Sequence, residues 1–103
     1  MKSFLVLFHC VAYFMRVFFR ISGTVQGVGY RWFAASAAAG LALTGLVRNC
    51  PDGAVEGEAQ GEKSDIETFL KELRTGHPGA EVTNAETTRM EERKGEKDFR
   101  IAY

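Results

Sequence analysis

The stretch Gly23-Thr24-Val25-Gln26-Gly27-Val28-Gly29-Tyr30-Arg31 combines residue types that can bind an anion. Glycines at 23, 27 and 29 let the backbone turn tightly and bring its own N–H groups against a ligand. A helix starting directly after the loop adds unpaired N–H groups and the positive end of its dipole. Arg31, in the first turn of that helix, carries a planar fork of donors that grips a phosphate or carboxylate at two points. Glycine-containing connections that bind nothing look much the same, so the loop alone leaves both readings open. Asn49 carries a side-chain amide that can both donate and accept hydrogen bonds. An asparagine before Cys50-Pro51-Asp52 equally suits the start of a turn.

The flanking pattern says how these residues are held. Val17, Phe19, Ile21, Gly23 and Val25 alternate with Arg16, Arg20, Ser22 and Thr24, which predicts a strand with one face on a core and the other largely solvated. Trp32 to Ala39 has strong helix preference, and the helix should stop near Gly40 to Ala42. Leu43 to Cys50 and Ala54 to Gly61 read as a hairpin around Pro51-Asp52-Gly53. Ser64-Asp65-Ile66-Glu67 predicts a capping box with Ser64 as N-cap, followed by a helix with Ile66, Phe69, Leu70 and Leu73 on one stripe and a stop at Gly76 and Pro78. Glu81 to Met90 is polar for a strand, with Val82 and Ala85 its main apolar positions, and so belongs at a sheet edge. Glu91 to Asp98 reads as a solvated charged connection, and Phe99, Ile101 and Tyr103 alternate as a short closing strand.

The predicted fold class is therefore α+β, the ferredoxin-like split βαβ plan: β-α-β-β-α-β plus a short terminal strand, with two helices on one face of an antiparallel sheet. With 103 residues, 46% hydrophobic and 25% charged, the chain suits one ordinary domain. A formal net charge of zero recommends no nucleic-acid partner. Cys10 and Cys50 are too few for a disulfide scaffold and have no metal-ligand spacing with His9 or His77, so no metal site is expected and free thiols in a cytoplasmic setting are. Residues 1–14 form an apolar extension too short and interrupted to cross a bilayer and without a clear signal-peptide cleavage site. It is expected to lie outside a core domain of residues 15–103, with Met15 as an alternative start.

Three groups of residues, Gly23-x-Val25-Gln26-Gly27-Val28-x-Tyr30-Arg31, Leu43-Thr44-Gly45-Leu46-Val47-Arg48-Asn49 with Pro51-Asp52-Gly53, and Phe99-x-Ile101-x-Tyr103, closely resemble the acylphosphatase family. The resemblance implies a metal-independent enzyme, with no cofactor, that hydrolyses the carboxyl-phosphate bond of small acyl phosphates. It implies that the N–H groups of Gln26, Gly27, Val28, Gly29 and Tyr30, with the Arg31 guanidinium, bind the phosphoryl group. Asn49 would orient the attacking water, and inorganic phosphate or sulfate would bind as a product-like ligand. The chain end at Tyr103 would bring its carboxylate toward Arg31. Arg48 should point away from the site, Tyr30 and Trp32 should pack in the core or loop, and Thr44 is a candidate support for Asn49. Ala42 departs from the family pattern, which often has glycine there. No membrane or nucleic-acid partner is expected, and a monomer is. Two rivals share the fold plan: an RNA-recognition module, disfavoured by missing paired aromatics and basic charge, and a sensor that binds a phosphate or carboxylate without turnover.

Overall fold

Alternation in the first strand organises the fold. In the computed structural model, which describes residues 13–103, β1 (Phe14–Thr24) buries Val17, Phe19 and Ile21 on one face. That face receives α1 (Tyr30–Gly40) and α2 (Lys63–Thr75), whose Tyr30, Ala34 and Ala38 and whose Ile66, Phe69 and Leu73 complete the core. Alanines on α1 let it approach the sheet closely, while Phe69 fills the larger gap under α2 and meets Phe19 edge-on at 5.6 Å. The remaining strands are β2 (Thr44–Asn49), β3 (Val55–Glu62), β4 (Glu81–Met90) and β5 (Phe99–Ile101), in the sheet order β4-β1-β3-β2-β5. Among the described residues no helix is long and apolar enough to cross a membrane. The apolar segment before Tyr13, with His9 and Cys10, lies outside the described residues.

The expected plan is present, with corrections. β5 runs parallel to β2, Gly45 opposite Phe99 and Val47 opposite Ile101, so the sheet is mixed and not antiparallel throughout. The connection from β4 to β5 leads from one sheet edge to the other and joins β2 at its first residues, where the Gly45 N–H donates to the Asp98 carbonyl at 3.0 Å. From there the chain can only run alongside β2 in the same direction.

That connection is not simply solvated, and the strand face opposite the helices is not simply wet. Arg16 is 1% exposed. It donates to Glu58 at 2.8 Å, to Gln60 at 3.2 Å and to Glu96 at 2.9 Å, while Gln60 bonds both the N–H and the carbonyl of Arg93. A buried guanidinium needs this many acceptors, because unpaired it would cost several kcal/mol. Thr44 sits at this end of the sheet, against Glu96, so it cannot support Asn49 at the other end of β2.

Helix ends differ from expectation for local reasons. The predicted Ser64 cap is absent: α2 starts at Lys63 with Glu62 as N-cap and no side-chain cap. Pairing of β1 with β3 extends to Phe14 opposite Glu62, and the Tyr13 carbonyl takes the Lys63 N–H at 2.7 Å, so the helix leaves the strand without a turn. The same bonds show β1 beginning at Phe14, inside the stretch read as an extension. At the end of α1, the Leu43 N–H donates to the Ala38 carbonyl and the Ala42 N–H to that of Ala39, a Schellman closure. Ala42 takes φ 56 there, the left-handed conformation that glycine adopts without strain.

β4 lies at the edge, as its polarity predicts. Val82 and Ala85 both pack on the core although three residues apart, because a register shift between Ser22 and Gly23 inserts one extra residue in β4.

Candidate active site

The connection from β1 to α1 and the end of β2 meet at one end of the sheet. Gly27 and Gly29 have φ of 77 and 75, and a Cβ on either would meet nothing within 4 Å. Conformation, not space, is therefore what calls for glycine at these two positions; an L side chain held there costs about 1–2 kcal/mol. Gly29 is also the N-cap of α1, with no side chain capping the helix. Among the described residues, the backbone N–H groups of Gln26 to Gly29 donate to no backbone carbonyl. They remain available as donors beside the helix N-terminus.

A cavity of about 130 Å³ opens here. The loop contributes Val25, Gly27 and Gly29; α1 contributes Tyr30, Arg31 and Trp32; β2 contributes Asn49; the end of the chain contributes Ile101 and Tyr103. Arg31 and Asn49, predicted from separate motifs, thus border one space. Gln26 and Val28 do not line it: Val28 packs on the core, and the Gln26 side chain turns the other way.

Gln26 supplies the tie that the sequence did not disclose. Its Nε2 donates to the carbonyls of Cys50 at 2.8 Å and Ala54 at 2.9 Å, joining the glycine loop to the β2–β3 turn that follows Asn49. The turn is also closed from within, by the Cys50 N–H on the Ala54 carbonyl at 2.8 Å and the Gly53 N–H on the Cys50 carbonyl at 3.1 Å. Asp52 accepts the Ala54 N–H, which with the Arg20 guanidinium holds its carboxyl below the usual range.

Asn49 is half-buried, and its Oδ1 is shielded from solvent with no hydrogen-bond partner among the described residues. Buried polar atoms of this kind are costly to leave unpaired and call for a specific explanation. Arg48 points away, exposed and paired with Glu56, as alternation requires. Burial pushes the Cys50 thiol up from its ordinary value, which leaves it neutral at pH 7 and a poor nucleophile.

The aromatics separate. Tyr30 is buried as expected and donates from its hydroxyl to the Leu73 carbonyl at 2.5 Å, while burial also drives its pKa upward. Trp32 is not core: it is 72% exposed, because the buried stripe of α1 runs through Tyr30, Ala34 and Ala38 and leaves the next position but one facing out. Tyr103 approaches Arg31 with its ring, whose centroid is 5.1 Å from the guanidinium, and not in an ion pair through its carboxylate. The alternation of Phe99 and Ile101 was readable, but their placement beside β2 required the crossing of the charged connection, and the strand stops at Ile101, leaving Tyr103 beyond it.

The chain and its fold match known proteins. The acylphosphatase family profile matches residues 17–101. An acylphosphatase of Clostridium acetobutylicum is 40% identical over 88 residues, covering 85% of this chain and 97% of that protein. One of Geobacillus thermodenitrificans is 42% identical over 88 residues, covering 85% and 94%. The crystal structure of acylphosphatase from Bacillus subtilis superposes with a TM-score of 0.82 at 32% identity, covering 86% of this chain and 99% of that one. With the match running from the glycine loop through Asn49 to the closing strand, in sequence and in fold alike, the chain belongs to the acylphosphatase family.

Proposed function

We propose that this enzyme hydrolyses acyl phosphates to a carboxylate and inorganic phosphate, by direct attack of water and without a metal ion. Arg31 and the N–H groups from Gln26 to Tyr30 hold the equatorial phosphoryl oxygens and balance their charge, the task that magnesium performs in many phosphoryl-transfer enzymes. Water attacks phosphorus as the carboxylate leaves with the bonding electron pair. The leaving group's conjugate acid has a pKa of roughly 4, so no general acid is required. Protons of the attacking water stay on the new phosphate or pass to solvent, and no phosphoenzyme forms.

One observation carries this reading: the unpartnered Asn49 Oδ1, on a residue bordering the same cavity as Arg31 and the loop glycines. A neutral amide oxygen is a weak base but a good acceptor, suited to aligning a water. The test is hydrolysis of acetyl phosphate and benzoyl phosphate in the presence of EDTA. Arg31→Ala is expected to remove detectable phosphate binding and turnover. Asn49→Ala should lose turnover by about 100-fold or more while keeping most of the phosphate affinity. Equal losses of affinity in the two variants refute the separate roles. Binding without any turnover in the parent protein favours the sensor alternative.

A further inference from the structure

An acyl phosphate has a second end, and the roles above concern only the phosphoryl group. Beside the loop glycines, Arg31 and Asn49, the cavity is bordered by two exposed aromatics, Trp32 and Tyr103. Trp32 is 72% exposed and Tyr103 99%. Single exposed aromatics are ordinary on protein surfaces. Two that border one small cavity, while α1 fills its core stripe with other residues, are placed where a ligand would cover them.

Both rings also lie beside the reacting end. Trp32 follows Arg31 in the first turn of α1, so both ride on one rigid backbone. The Tyr103 ring centroid lies 5.1 Å from the Arg31 guanidinium carbon, within cation–π range. An anion held by Arg31 in this cavity therefore has both rings close to its substituent.

We propose that Trp32 and Tyr103 form an acyl subsite that favours substrates with a planar aromatic acyl group over those with a short alkyl group. The proposal rests on the assignment of the phosphoryl site to Arg31 and the loop. Offset or edge-on packing against two rings should favour an aromatic acyl group by about tenfold, whereas a methyl group is too small to engage both.

Trp32 is the only tryptophan, so its emission reports directly on the subsite. The experiment titrates the full chain with phenylphosphonate, methylphosphonate and inorganic phosphate, following Trp32 fluorescence and, independently, heat of binding. All three anions are expected to bind, phenylphosphonate about tenfold tighter than methylphosphonate and with the only large change in emission. In Trp32→Ala, measured by calorimetry, the preference should fall to within about twofold, and Trp32→Phe should restore most of it. Equal affinity for the two phosphonates, or an unchanged preference in both Trp32→Ala and Tyr103→Ala, overturns the subsite and leaves the phosphoryl site standing. Failure of all three anions to bind overturns the phosphoryl site and the subsite with it.

Discussion

Replacing Gln26 with alanine tests how the two halves of the site are held at a fixed distance. The side chain makes two bonds, to the carbonyls of Cys50 and Ala54, at 2.8 and 2.9 Å. Each carbonyl keeps a backbone donor when the amide is removed, from Gly53 and Cys50 respectively. Neither becomes an orphan, so the penalty is the ordinary net value of about 1 kcal/mol per bond, about 2 kcal/mol in all. For a domain of this size that lowers the melting temperature by roughly 10 °C. The N–H of residue 26 survives the substitution, and phosphate affinity should change by less than about threefold. Turnover should not survive so well. With the loop and the β2–β3 turn free to drift apart, a misplacement of about 1 Å between Asn49 and the bound phosphoryl group lowers kcat about 100-fold. Thermal and urea denaturation followed by circular dichroism, with benzoyl phosphate kinetics, read both effects. A variant that melts within about 2 °C of the parent with unaltered kcat refutes the role of the tie. So does one whose phosphate affinity falls in step with kcat.

Ala42→Gly should stabilise the protein by about 1 kcal/mol, or some 4–8 °C, since φ 56 strains alanine and suits glycine. A lower melting temperature would show that unfolded-state entropy outweighs the strain. Glu96 has its carboxyl held below the ordinary value of 4.5, first by its hydrogen bonds to Arg16. A depressed carboxylate stabilises the fold above its unfolded pKa and loses that contribution as pH falls through the lower folded value. Glu96→Gln should therefore cost about 1.5–3 kcal/mol at pH 7, with the gap to the parent closing below pH ~4. A gap independent of pH in urea titrations would contradict the pairing.

The glycine loop and the facing of β2 were legible where local rules govern them, whereas the role of Asn49 came only from the family resemblance. The glycines at 27 and 29 announce positive φ, and alternation along β2 sends Arg48 outward, away from the side of the strand that carries Asn49. What could not be read depends on contacts distant in sequence. Gln26 looks like a loop residue until the β2–β3 turn is seen beside it, and Trp32 looks like core until the helix stripe is counted from Tyr30. The charged connection misled for the same reason. Nothing local to Glu96 reveals that Arg16, eighty residues earlier, lies buried beneath it. At Ser64 a well-formed capping signal lost to strand pairing, which delivers the chain into α2 with its first N–H already bonded to Tyr13.

Among the described residues, β4 presents ten residues along a sheet edge, long enough to template a second chain. Exposed Glu81, Glu86 and Arg89 would have to shed hydration before another strand could align there, a cost that opposes edge-to-edge pairing. Changes that made this strand more apolar would first appear as turbidity and lost yield, with each surviving molecule still competent. The margin most distant from β5 is thus where added hydrophobicity would do most to promote aggregation.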